Sequence, residues 1–206
     1  MKRTIALMAI IIIANLPMSC IDDDCGDFTP TEPKITKLDV SVGTFDSLGF
    51  VPSLPSITND FNEAAINISI AEIEYYEITK SVHQNFSLIN SAFACSWPPP
   101  NPQAIKKIKI TSESEVYFDG KEYSISEDLI DLFKVVGNQY LDGEVTVERF
   151  IELQNNSLGV FGELGDNVVF QLQHKPDSAF RQKFFFTFEF TDTEKVEVET
   201  SNFAVN

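Results

Sequence analysis

Between Lys183 and Phe190 the chain reads Lys-Phe-Phe-Phe-Thr-Phe-Glu-Phe, which sets Phe184, Phe186, Phe188 and Phe190 two residues apart. A helix scatters such positions around its circumference, whereas a strand lines them along one face. Four rings in one row need an apolar layer opposite them, and each burial stabilises by about 2–3 kcal/mol. The chain is therefore committed to a sheet with a covered face. Composition agrees: 18 Phe stand against three Met and one Trp, and Phe in alternating runs favours strands.

Other stretches repeat the period. Ile66, Ile68 and Ile70 alternate with Asn67, Ser69 and Ala71, and the run over Ala65–Thr79 continues through Ile73 and Tyr75 after a phase change. A run of that length predicts a bulge or bend near Ala71–Glu72. Ile35 to Val42, Ile105 to Thr111 and Asn167 to Gln173 are further strand candidates, with one face of each in solvent. Asp119-Gly120 is a hairpin-turn signal inside Val116–Tyr123. The Phe-rich strand predicts a hairpin through Asp192-Thr193 that runs out to Val205.

Helical signals are few. Ser124-Ile125-Ser126-Glu127 has the form of a capping box and predicts a short helix through Phe133. A second is expected from Thr146, with Glu148 in its first turn and Phe150, Ile151 and Leu153 inward. Gly49, Pro52, Pro55 and Asn59-Asp60 interrupt residues 43–63, which read as an irregular covering segment. About seven to nine strands with one or two short helices predict a single antiparallel β-sandwich over residues 34–206, Ig-like in general architecture.

The N-terminus is of another kind. Met1-Lys2-Arg3 is cationic, and Ile5 to Ala14 is an apolar run of signal-peptide length, too short to span a bilayer comfortably. No other segment reaches the length of a transmembrane helix. The net charge is −16, and loss of residues 1–19 removes Lys2 and Arg3 but no acid. So acidic a body repels nucleic-acid phosphates and anionic head groups, which excludes nucleic acid as a partner.

Leu16-Pro17-Met18-Ser19-Cys20 resembles a lipoprotein lipobox: Ser19 fits the place before the lipidated Cys20, while Pro17 and Met18 depart from the usual pattern. The following Ile21-Asp22-Asp23-Asp24 is similar to the acidic export signal of Bacteroidota-type surface lipoproteins. Ala92-Phe93-Ala94-Cys95 with the prolines beyond it, the Ile105–Thr111 strand and the Phe-rich hairpin resemble a small family of such lipoproteins of unknown function. The resemblance implies a lipoprotein signal peptide over 1–19, acylation of Cys20, a lipidated acidic tether over 20–33 and export to the outer face of the outer membrane. In the same bacteria Asp46-Ser47-Leu48 and Asp177-Ser178-Ala179 would resemble O-glycosylation acceptors at Ser47 and Ser178.

With Cys20 acylated, Cys25 and Cys95 remain. In an oxidising compartment they can form a disulfide closing a loop of about 70 residues, stabilising by about 4 kcal/mol. They suit equally a buried Cys95 with a free Cys25 thiol on the tether.

Nothing marks a catalytic constellation. His83 and His174 lie apart beside polar residues, no Gly-x-Ser-x-Gly elbow occurs, and no His or Cys pair has metal spacing. No catalytic residue, metal or cofactor is assigned. Trp97, ahead of Pro98-Pro99-Pro100, is the candidate for stacking on a glycan, joined by Tyr75, Tyr76, Tyr117, Tyr123 or Tyr140; the same residue also suits a plug at the end of the sandwich. The expected function is a non-enzymatic binding or accessory module, anchored to the membrane by its N-terminal lipid, with a glycan or another envelope protein as partner. An adhesin or fimbrial-type assembly component is the alternative, and a hydrolase the third.

Overall fold

The structure, a computed structural model, describes residues 31–77, 103–137, 143–156, 161–191 and 195–206. These belong to a compact unit of Glu32–Tyr76 with Pro100–Asn206, one of two into which the chain divides. The expected signal peptide over residues 1–19, Cys20, Asp22, Asp23, Asp24, Cys25, His83, Cys95, Trp97, Pro98 to Pro100, Tyr140 and the expected turn at Asp192-Thr193 lie outside the described residues.

The chain is mainly β with antiparallel sheets. Thirteen strands are present among the described residues. One sheet has six strands in the order β2-β1-β3-β9-β7-β8: β1 is Thr31–Asp46, β2 Gly49–Pro52, β3 Ala64–Glu77, β7 Phe133–Val136, β8 Val145–Thr146 and β9 Asn167–Leu172. A second has three strands in the order β12-β11-β4, with β4 Ile105–Ser112, β11 Phe184–Phe190 and β12 Lys195–Glu199. Two ribbons complete the fold, β5 (Val116–Phe118) with β6 (Lys121–Tyr123), and β10 (Phe180–Gln182) with β13 (Phe203–Val205).

The Phe row of β11 is the wall that its period demands: Phe184, Phe186, Phe188 and Phe190 are fully buried. Phe170 of β9 lies 5.0 Å from Phe186, ring to ring. Phe133 of β7 meets Phe184 edge-on at 5.4 Å, and Phe161 stacks on Phe188 at 5.8 Å. The six-stranded and three-stranded sheets thus face each other through aromatic rings, in the edge-on and offset geometries that ring quadrupoles favour. This is the sandwich that the alternation predicts.

The Asp-Gly turn forms as its chemistry requires. Asp119 and Gly120 both take positive φ, 52° and 72°, which matches the twist of two strands joined by a two-residue loop. In β4, Ile105, Ile108 and Ile110 point inward and Lys106 and Lys107 outward. The step from three to two residues in that spacing comes from a bulge opposite Glu189 and Phe190, since an extra residue restores the facing.

Several expectations are corrected. No α-helix follows Ser124; the carboxylate of Glu127 does reach back to the Ser124 N–H, at 3.3 Å, but a tertiary contact takes the next residues. Asp128 Oδ1 accepts from Ile110 N and Leu129 N donates to Ile110 O, so the segment docks on the edge of β4. Only a 3₁₀ turn, Ile130–Leu132, intervenes before β7. The one helix among the described residues, α1 (Val147–Asn156), starts where Thr146 Oγ1 accepts from Arg149 N. It buries Val147, Phe150 and Gln154, with Ile151 and Leu153 only partly covered.

β9 departs from the one-faced expectation. Val169 and Gln171 are buried as well as Val168, Phe170 and Leu172. A second small core of Ala65, Val136 and Val169, overlaid by Phe45 and Phe50, covers the back of the sheet. Phe45 reaches there because Gly137 has no side chain: a Cβ on Gly137 would lie 2.2 Å from the Phe45 ring. The end of the β1–β2 hairpin therefore curls over the sheet. β1 also begins at Thr31, within the residues 20–33 expected as tether, and the segment 43–63 contains the end of β1 and all of β2. The C-terminal hairpin stops at Glu199, and β13 pairs instead with β10.

Candidate functional site

The segment from Asp46 to Asn59 is held rigidly yet leaves its aliphatic side chains in solvent. Asp46 Oδ1 accepts from Leu48 N at 2.7 Å, and Gly49 at φ 113° lets the chain reverse into β2. Among the described residues strand β2 pairs only with β1, which makes it the edge of the six-stranded sheet. Ser53 N then donates to Val42 O, and Ile57 N to Leu54 O, closing a turn.

Arg181 and Asn59 fix the loop 53–58 from outside. The Arg181 guanidinium donates to the carbonyls of Pro55 and Ser56 and to Thr58 Oγ1. Its planar fork matches several acceptors at once. Asn59 is buried; its side-chain amide donates to Gly43 O and Ser53 Oγ, and its backbone bonds Ala204 and Asn206, which puts it beside Val205 as a parallel bridge. Within these supports Leu48, Val51, Leu54 and Ile57 are 92%, 55%, 68% and 47% exposed.

Single exposed aliphatic residues are ordinary on a protein surface; here four fall within ten residues, from the hairpin turn at Leu48 through Val51 of β2 to Leu54 and Ile57 of the loop. What such side chains offer is apolar area, here beside a strand edge that no other described strand pairs. Sequence reasoning missed it. The signal was Leu48, Val51, Leu54 and Ile57 recurring every third residue through a Gly- and Pro-broken stretch, where neither a helix nor a strand buries such a row.

Of the sequence candidates within the described residues, Ser47 stands exposed at the tip of this hairpin. Ser178 is exposed in a separate turn, where Asp177 Oδ2 accepts from Gly120 N at 2.8 Å. His174 is half-exposed, with Nδ1 3.2 Å from Asp119 Oδ2. The four tyrosines among the described residues fall on two separate elements, β3 and the β5–β6 ribbon. Tyr75 and Tyr76 are exposed near the end of β3, with Lys34 over the Tyr76 ring. Tyr117 and Tyr123 belong to the β5–β6 ribbon, where Lys121 sits 3.9 Å from the Tyr123 ring centre.

The shifted titrations belong to surface pairs. A hydrogen bond to Glu122 raises the Tyr117 phenol, and one to Glu74 raises Tyr76. Hydrogen bonds from Lys106 to Glu189 and from Lys121 to Glu127 hold those carboxylates below their ordinary value. Lys121 and Lys183 are raised by the carboxylates of Glu127 and Glu199. Among the described residues no three His, Cys, Asp or Glu side chains are grouped to hold a metal, and no helix is long and apolar enough to cross a membrane. Compared with protein-family models, curated proteins and solved structures, the chain matches none.

Proposed function

We propose that this chain is a lipid-anchored, non-enzymatic binding module of the bacterial outer envelope that captures a protein partner through the β2 edge and the loop 53–58. The observation that carries the binding reading is the rigid display of Leu48, Val51, Leu54 and Ile57. Arg181 and Asn59 hold the loop in one shape before any partner arrives, so little ordering entropy remains to be lost on docking. Aliphatic side chains beside a strand edge suit the apolar surface of a protein, whereas sugar rings stack on aromatic faces. The anchor part of the reading rests on Cys20 and the Asp22–Asp24 run.

In-cell photocrosslinking from position 54 tests the partner. A discrete adduct is expected, lost in a Val51→Asp/Ile57→Asp double variant that keeps its melting temperature. Absence of any adduct, or one indifferent to the double variant, refutes the site. Incorporation of a fatty-acid analogue that vanishes in Cys20→Ala tests the anchor separately.

A second reading is an assembly subunit that pairs strands with its own kind, favoured by the open β2 edge. Sedimentation of the detergent-solubilised chain separates the two. Oligomers dissolved by Val51→Pro support assembly, and a monomer at all concentrations supports the binding module.

A further inference from the structure

Two polar atoms in the wall of the core have no hydrogen-bond partner: the hydroxyl of Ser112 and the amide nitrogen of Gln182. Both residues are almost wholly buried, at 1% and 3% exposure. Burying such groups unpaired is costly, and native proteins rarely leave them so.

The sheet register brings the two together. Ser112 is opposite Phe184 in the β4–β11 ladder, and Glu113 N donates to Lys183 O, which carries the alignment one residue further. Ser114 then reaches Gln182, its hydroxyl 2.6 Å from the Gln182 Oε1. Ser112 and Gln182 are therefore diagonal neighbours, about 7–8 Å apart and within reach of a long side chain such as that of Gln182. Ser112 follows Ile105, Ile108 and Ile110 on the inward face of β4. Ser112 thus puts a short polar side chain in a row otherwise made of Ile.

We propose that a single internal water occupies this position, accepting from Gln182 Nε2 and hydrogen-bonded to the Ser112 hydroxyl. One small molecule that both donates and accepts satisfies both groups, and a site with two to four polar partners is what an ordered internal water needs. The surrounding backbone leaves it no competitor at the ladder's end: Phe184 N already donates to Thr200 Oγ1, and Thr200 N to Phe184 O. The water thus joins the inward face of β4 to β10, in which Arg181, the residue before Gln182, reaches out to the loop 53–58.

A high-resolution crystal structure of the protein together with the melting temperature of Ser112→Ala tests this. The expected results are a water peak within about 3 Å of Ser112 Oγ and Gln182 Nε2, and a lowered midpoint in Ser112→Ala because the water loses a partner. A raised midpoint, as removal of a merely unpaired hydroxyl would give, overturns the proposal. So does density in which the two side chains bond each other directly. Gln182→Met, which removes the amide while keeping length, should expel the water; its persistence there also counts against the assignment.

Discussion

Replacing Gln154 tests how α1 is locked to the sandwich. Its amide clasps one residue at both ends: Nε2 donates to Phe161 O at 2.7 Å, and Phe161 N donates to Oε1 at 2.8 Å. The side chain imitates a passing strand, and both residues are buried. Gln154→Leu keeps the bulk but strands one N–H and one carbonyl inside the protein. At about 1–3 kcal/mol for each unpaired buried group, the cost is about 2–6 kcal/mol. For a chain of this size the melting temperature falls by about 2–4 °C per kcal/mol, so a loss of roughly 10 °C is expected. Gln154→Glu adds a test of direction. As a carboxylate it still accepts from Phe161 N but places a buried negative charge against the Phe161 carbonyl. As a carboxylic acid it donates there again. Burial and the carbonyl raise the folded pKa of the introduced group above its unfolded value, so its penalty is full at neutral pH and shrinks as pH falls through that folded pKa. Calorimetry of both variants against the parent chain from neutral to mildly acidic pH reads this out. A penalty for Gln154→Glu that does not shrink on acidification, or a loss below about 1 kcal/mol in Gln154→Leu, refutes the clasp as the holding contact.

Gly137→Ala adds a side chain at φ 72° and drives it into the Phe45 ring; strain of about 1–2 kcal/mol and overpacking of about 1–3 kcal/mol lower the unfolding free energy, measured by urea titration. Absorbance titration should show Tyr117 ionising later than an ordinary tyrosine, since its folded pKa is raised by Glu122; Glu122→Ala should remove that delay, and the small stability it confers is present below pH 10 and lost as pH rises through the folded value. Glu189 is lowered by Lys106, so its contribution is present above the unfolded carboxylate pKa and lost as pH falls through the folded one. Glu189→Gln should flatten the acid limb of a melting-temperature profile without moving its alkaline limb.

The strand period proved the most legible feature of the sequence. Phe184 to Phe190 and Ile66 to Ile70 alternate, and alternation has one physical solution. The Asp119-Gly120 turn was as plain, because few residue pairs accept two positive φ values in succession. What stayed hidden depended on contacts distant in sequence. The Ser124–Glu127 capping signal is real, yet Ile110 recruits Asp128 and Leu129 to a sheet edge before a helix can propagate. The burial of Val169 depends on Phe45 and on the space above Gly137, far along the chain from both. The candidate site was obscured for a related reason. Leu54 and Ile57 look like loop residues, and only Arg181, more than a hundred residues away, makes that loop rigid.

The pairing of β3 with β9 carries a consequence for how the molecule comes into being. Ile66 lies against Phe170, and Asn59 against Val205. Each contact spans on the order of a hundred residues or more, the kind of closure that slows folding. The β1–β2 hairpin can pair within the first third of the chain, but β3 and Asn59 meet these partners only after the last third has been made.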